Sequence, residues 1–207
     1  MTKLILLEEI EKYYTEKLNR FGCTPRGVDW NGIASQETRF LQLCKIINRD
    51  SDFSINDLGC GYGALFDYIL KQNYDCKYRG IDVSDAMITN ANIRHRAYLN
   101  ASYVCAAEPS EPADFGIASG VFNVRLSASE EQWSGYFHAT LDILNTTSLR
   151  GFAFNCLTSY SDKHLMQDNL YYMEPSVVFD YCKKRYSRNV ALLHDYDLYE
   201  FTILVRK

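Results

Sequence analysis

A chain of 207 residues, 47% hydrophobic and 23% charged, is long enough to bury a sizeable core, and one globular domain over 1–207 is expected. The formal net charge is −4 and the densest basic run is Lys183-Lys184-Arg185, which argues against a surface built to bind nucleic acid. Seven scattered cysteines (23, 44, 60, 76, 105, 156 and 182) show no C-x-x-C spacing, so neither a metal site nor a disulfide framework is expected and a reducing, cytoplasmic setting fits.

In chain order, MTKLILLEEIEKYY has four consecutive apolar residues and then charges, too few for a signal-peptide core or a membrane span. Leu7, Ile10, Tyr14, Leu18 and Phe21 fall at helical spacing, as do Phe40, Leu43, Cys44 and Ile47 after a cap at Ser35. The loop CTPRGVDWNG separates these two helices, which are expected to form a cover over 1–48, ahead of a sheet core over 53–207. Strand FSINDL (53–58), a glycine loop and a helix through Leu65, Phe66 and Ile69 come next, followed by strand KYRGID (77–82). Ser84 caps a helix carrying Met87, Ile88 and Ala91, and SYVCA (102–106) and FGIAS (115–119) read as strands. Ser129 and Gln132 have capping-box spacing ahead of a helix with Trp133, Phe137, Leu141 and Leu144. GFAFNCL (151–157) is a strand, Pro175 opens a helix through Phe179 and Cys182, and NVALLHDYDLYEFTILVRK reads as a hairpin with a tight Asp-rich connection. Strands alternating with helices indicate an α/β sandwich with a mostly parallel sheet, whose ligands bind beyond the carboxyl ends of the strands.

The stretch INDLGCGYGAL (55–65) places Gly59, Gly61 and Gly63 directly after Asp57. Bare backbone at alternate positions suits a sharp turn and close approach of a ligand. A dinucleotide loop has G-x-G-x-x-G spacing, whereas the pattern here is D-x-G-x-G-x-G. An acid ahead of the loop repels a pyrophosphate and suits a cation such as an α-ammonium. Asp82 ends the next strand, where a carboxylate accepts ribose hydroxyls. An ammonium and a ribose held together describe S-adenosylmethionine.

DLGCGYGAL, GIDVSDAMI, the strand before SGVFNV and the final strand together resemble the class I S-adenosylmethionine-dependent methyltransferases. GVDWNG with QETRF, SGVFNV, FAFNCLTSYSD and the C-terminal stretch SRNVALLHDY-LYEFTILVRK are similar to one bacterial group of small methyltransferases, so the resemblance covers nearly the whole chain. It implies a Rossmann-like sheet in the order 3-2-1-4-5-7-6 with strand 7 antiparallel. It also implies that Asp57, Gly59 and Gly61, with Cys60 between them, line the methionine part and that Asp82 binds the ribose. Val83 and Met87 would cover adenine, Ala107 or Glu108 would meet its amino group, and Ser119 and Gly120 would face the sulfonium side.

Several residues carry two readings. Arg39 either pairs with an acid or forks onto the cofactor carboxylate, the reading favoured here; Trp30 either packs the N-terminal helices or walls the cofactor or substrate site. Among the histidines, His95 and His138 read as structural or solvated, His164 overhangs the active-site side, and His194 beside Asp195 is the candidate general base. Asn123 would position the acceptor, and Tyr160, Tyr171 and Tyr172 would wall its pocket under a cover completed by residues 158–174.

Prolines at 25, 109, 112 and 175 rule out both the D/N-P-P-Y signature of DNA amino-methyltransferases and the Pro-Cys nucleophile of cytosine-C5 enzymes. A small-molecule oxygen or nitrogen acceptor is therefore expected. A catalytically silent module that binds S-adenosylmethionine or a partner is the alternative. An NAD-dependent reductase is less favoured, because the third glycine is displaced and Tyr13 and Lys17, at Y-x-x-x-K spacing, precede the loop.

Overall fold

Strand β1 (Phe53–Leu58) lies at the middle of the sheet, and its central position decides where the site forms. The computed structural model describes residues 3–47 and 52–207; the boundary expected after residue 48 lies outside the described residues. Helix α1 (Lys3–Phe21), a 3-10 turn over Pro25–Val28, helix α2 (Ile33–Leu43) and a second 3-10 turn over Cys44–Ile46 precede β1. Helix α3 (Ala64–Lys71), β2 (Cys76–Asp82), α4 (Asp85–His95), β3 (Ala101–Cys105) and β4 (Ala113–Ala118) follow. The chain ends with α5 (Glu130–Thr146), β5 (Ser148–Thr158), β6 (Tyr172–Met173), α6 (Pro175–Arg185), β7 (Asn189–Leu193) and β8 (Glu200–Arg206).

The sheet runs β3-β2-β1-β4-β5-β8-β7, with the short β6 paired in parallel to β5. Strand β8 is antiparallel to both β5 and β7, so it is the inserted antiparallel strand expected from the sequence. The extra β6 shifts its number from seven to eight.

Side chains alternate across the sheet, as a period of two requires. Phe53, Ile55, Ala153 and Leu204 face a core shared with Phe40, Leu43, Phe66 and Ile69 of the helices. Phe152, Phe154, Phe201 and Ile203 face the other core, with Trp133, Phe137 and Leu141 of α5. Burial on both faces explains the near-continuous apolar runs in β5 and β8.

Local signals set most helix starts. The Ser84 hydroxyl accepts from Met87 N at 3.3 Å, Ser129 and Gln132 form a reciprocal capping box, and Pro175 occupies the first turn of α6. Three local expectations need correction. Helix α2 starts at Ile33 with Gly32 as its cap; Ser35 lies inside the first turn, where its hydroxyl donates to the Gly32 carbonyl at 3.0 Å. The regular helix ends at Leu43, short of Ile47. The final hairpin is joined by the longer connection 194–199, because β7 pairs from Asn189 to Leu193 and β8 only begins at Glu200.

Strand β8 carries Phe201, Ile203, Leu204 and Val205, all at 2% exposure or less. Burying four such side chains stabilises a fold by roughly 6–12 kcal/mol, comparable with the 5–15 kcal/mol that separates most native domains from unfolding. Deletion of residues 200–207 is therefore expected to abolish cooperative folding, read by circular dichroism and thermal melting; a folded truncation would show that β8 is dispensable.

Candidate active site

The carboxyl ends of β1, β2 and β4 open into a cleft of about 1090 Å³, counting its mouth. Its floor comprises Asp57, Leu58, the loop Gly59–Tyr62, Ile81, Asp82 and Val83, together with Ser119, Gly120 and Val121. Gly59, Gly61 and Gly63 have φ of 76°, 55° and 85°, a region that favours glycine, and this answers why bare backbone recurs at every second position. Gly59 N and Cys60 N donate to the Ile81 carbonyl at 2.7 and 3.1 Å, and Gly61 N donates to Asp82 Oδ2 at 2.9 Å. The loop is thus fastened to the end of β2.

The two acids are held differently. Asp82 also accepts from Ser84 N at 2.9 Å, so each of its oxygens has one backbone donor and keeps a lone pair for a ligand. Burial raises its pKa, against the pull of those backbone donors. Asp57 is buried, and its Oδ2 accepts from the Tyr78 hydroxyl at 2.5 Å, while Oδ1 has no partner among the described residues. Burial pushes its pKa up to about 7, the Tyr78 hydrogen bond opposing and the Asp82 charge assisting. The buried Ser119 hydroxyl is likewise unpartnered. Burial also raises the Cys60 thiol pKa well above its usual value, so Cys60 contributes to the wall as a neutral group.

The roof comes from the N-terminal elements. Leu7, Ile10 and Tyr14 of α1, Val28 and Trp30 of the following loop, and Gln36 and Phe40 of α2 all line the cleft. The hydroxyls of Thr15 and Ser84 meet at 2.8 Å, tying α1 to the start of α4. A Cβ on Gly120, at φ 77°, would lie 2.6 Å from Trp30 Cζ2, so only glycine lets the indole pack flat against this loop. Met87, Ala106 and Ala107 close one end, and Val124, Tyr136, Thr140 and Ile143 complete the wall.

Of the residues singled out from sequence, Asp57, Gly59, Cys60, Gly61, Asp82, Val83, Met87, Ala107, Ser119, Gly120 and Trp30 are brought together here. Others are not. Arg39, expected to fork onto the cofactor carboxylate, forks onto Glu200, with Nη2 donating to Oε1 at 2.7 Å, and is committed to that buried pair. Glu108 is exposed and outside the cleft wall, where Ala106 and Ala107 stand instead. His194 does end a strand at the carboxyl edge, but β7 is the lateral edge of the sheet; its exposed ring packs near Tyr160 and Phe201 at 5.9 and 6.2 Å. Asn123 is buried beside the cleft, its Oδ1 accepting from Leu157 N at 3.2 Å, and it secures the loop after β4.

Tyr160 is 68% exposed, Tyr171 bonds to Glu130 and packs at a tilt on Trp133, and the Tyr172 hydroxyl accepts from Gln167 N. Residues 158–174 therefore do not roof the cleft; they brace the loop after β4 through Arg125 N to the Asn169 carbonyl and Tyr171 N to the Asn123 carbonyl, both 2.9 Å. His95 is enclosed by Asp67 and Tyr103, His138 packs on Tyr181, and His164 is exposed. Leu7, Ile10 and Tyr14 were visible as an apolar helical stripe, which does not distinguish a core face from a cleft face. Tyr136 and Thr140, one helical turn apart, gave no separate signal.

A glycine loop after one acid, a second acid at the end of the neighbouring strand, and a cleft at the reversal of strand order define an α/β sandwich of the methyltransferase class. A family model described as a methyltransferase domain matches residues 56–139, from the end of β1 into α5. A curated protein of Mycobacterium tuberculosis (strain ATCC 25618 / H37Rv), named "Putative methyltransferase Rv1506c", is 56% identical over 163 residues, covering 79% of this chain and 98% of that protein. The chain belongs to the class I S-adenosylmethionine-dependent methyltransferases.

Solved structures share the fold. The DhpI–SAM–HEP complex superposes with a TM-score of 0.69 at 11% identity, covering 100% of both chains. The 1,6-didemethyltoxoflavin-N1-methyltransferase of Burkholderia thailandensis, with bound 1,6-didemethyltoxoflavin and S-adenosylhomocysteine, gives 0.68 at 12% identity, covering 100% of this chain and 91% of that one.

The residues present fit the cofactor. An unpartnered carboxylate oxygen on Asp57 suits a cation, Asp82 has lone pairs left for hydroxyls, and the Val83–Met87 end is apolar. In the ligand-free protein the raised pKa of Asp57 has a signed consequence. Its folded pKa, about 7, lies above the unfolded value near 3.9, so the stability held by the neutral carboxyl is full below about pH 4 and is lost as pH rises through 7. Relative to Asp57→Asn, the wild type is expected to lose thermal stability steadily from pH 4 to 7 and then level off. A difference independent of pH would show that Asp57 is already ionised.

Proposed function

We propose that this enzyme transfers a methyl group from S-adenosylmethionine to an oxygen or nitrogen of a small-molecule acceptor. The observation that carries the reading is the cleft itself: two acids and a glycine loop on the floor, and a roof of Leu7, Ile10, Tyr14, Trp30 and Phe40. When bound, the cofactor supplies a methyl group on a sulfonium, open to in-line displacement. The bound toxoflavin precursor of the Burkholderia enzyme supports a small acceptor for this fold.

In this reading the remaining oxygen of Asp57 takes the α-ammonium and Asp82 takes the ribose hydroxyls. Val83 and Met87 flank the adenine, and the backbone at Ala107 meets its edge. Ser119 and Gly120 border the sulfonium, with Trp30 packed against Gly120 and extending that wall toward the acceptor. Gln36, which lines the roof and hydrogen-bonds the Tyr62 side chain, would turn to the cofactor carboxylate in place of Arg39. With the histidines placed elsewhere, the chain works by alignment and by excluding water, the acceptor proton passing to solvent. Alignment alone contributes several kcal/mol to such displacements.

Calorimetry is expected to show one site per chain for S-adenosylmethionine and for S-adenosylhomocysteine, with Asp82→Ala weakening both by about 1.5–3 kcal/mol. Labelled S-adenosylmethionine with fractionated small metabolites would then transfer label to a low-molecular-weight product. Binding of NADH with no response to either S-adenosyl compound would sink the assignment, and label appearing only in nucleic acid or protein would overturn the acceptor class.

A further inference from the structure

A buried polar chain runs from α2 through the first residue of β8 and through β5 to the loop after β4, at the cleft. Arg39 of α2 donates from Nε to both oxygens of Glu200, each at 2.9 Å, and from Nη2 to Oε1 at 2.7 Å. Glu200 Oε2 accepts from Asn155 Nδ2 at 2.5 Å, and Asn155 Oδ1 accepts from Gly120 N at 2.8 Å. The Arg39 guanidinium also lies 3.9 Å from the Trp30 ring centroid, and that ring covers Gly120. The chain therefore closes on itself: Gly120 is held through its amide by Asn155 and through its bare face by Trp30, and both holds lead back to Glu200.

Energetics argue that this arrangement is more than packing. Glu200 is 1% exposed and Asn155 0% exposed, on the face of the sheet that also carries the buried Ala153 and Leu204. Desolvating a carboxylate, a guanidinium and an amide costs several kcal/mol, and apolar side chains of similar volume stabilise such a site at least as well. What apolar side chains would not supply is a fixed acceptor for the Gly120 amide and a fixed cation behind Trp30. Both ends of the network reach groups that line the cleft.

We propose that Glu200 and Asn155 are positioning residues for methyl transfer: together with Arg39 they hold Trp30 against Gly120, and so fix the wall of the cleft where cofactor and acceptor meet. This rests on the reading above that Gly120 borders the sulfonium.

The chain has two tryptophans, so in a Trp133→Phe background Trp30 is the sole reporter. In that background Asn155→Ala and Glu200→Gln are expected to weaken S-adenosylhomocysteine binding about 3–10-fold, measured at a temperature where circular dichroism shows full folding. Acrylamide quenching of Trp30 should rise in both variants, and in Arg39→Lys, which keeps the charge but loses the fork. A lower melting temperature with unchanged affinity and unchanged quenching would reduce the network to a structural brace and overturn the proposal. Should the variants fail to fold, the wild-type protein decides: with ¹⁵N-glycine labelling, the Gly120 amide is expected to exchange slowly before any ligand is added, and fast exchange would refute its fixation. If S-adenosylhomocysteine does not bind the wild type, the functional reading fails by itself, while Trp30 quenching still judges the network.

Discussion

The loop from Gly59 to Gly63 is shaped by the strand beside it, and the rest of the site depends on that contact. Strands β1 and β2 pair in parallel with Asp57 opposite Gly80 and Leu58 opposite Ile81, so both chains leave the sheet together. The Ile81 carbonyl then receives Gly59 N and Cys60 N, and the Asp82 carboxylate receives Gly61 N. A one-residue slip would exchange the two faces of β1 and turn Asp57 away from its present setting beside Tyr78. Register therefore places both acids, and the glycines let the backbone make the turn that register demands.

The roof depends on a second, longer-range constraint. Arg39 and Glu200 are 161 positions apart in sequence, yet their buried pair fastens α2 to β8. Removing one partner of such a pair costs about 3–5 kcal/mol, because the other charge stays buried. The N-terminal elements and the last strand are thus energetically coupled, and the roof over the cleft keeps its place only when both are present. Helix α1 is fixed by its buried Leu6 and Leu18, by the Thr15–Ser84 contact and by Ser127 donating to Glu9.

Features governed by nearby residues were legible in the sequence. The glycine loop, the Ser84 cap, the capping box at Ser129, Pro175 and the antiparallel last strand rest on local chemistry or period, and each appears at its expected place. What failed depends on lateral position in the sheet. Both His194 and Asp82 end strands that run in the same direction, but β7 lies at the sheet margin while β2 adjoins β1. Likewise Arg39 is a fork-shaped cation close to the cofactor region, and only the folded chain reveals that Glu200 has claimed it. The 158–174 segment follows β5 at the correct edge but turns toward the loop after β4 to satisfy the backbone groups at Asn123 and Arg125.

The electrostatics of the cleft bear on how the enzyme divides its work. Asp57, at about 7, and Asp82 are both raised by burial, so the empty cleft holds carboxylates in surroundings that disfavour their charge. A cationic ligand relieves that cost. S-adenosylmethionine carries a sulfonium as well as an ammonium, whereas the product left after transfer keeps only the ammonium. Attraction between these acids and the sulfonium is strongest before the methyl group leaves and fades along the reaction. Such an interaction favours loading of the donor and release of the product, but it lowers the ground state more than the transition state and so cannot speed the chemical step. On the proposed reading, acceleration has to come from geometry: from holding donor and acceptor in line along the wall that Gly120 and Trp30 form together. Selection would then act on the rigidity of that wall, and a costly buried network ending on both of its residues is what such selection is expected to leave.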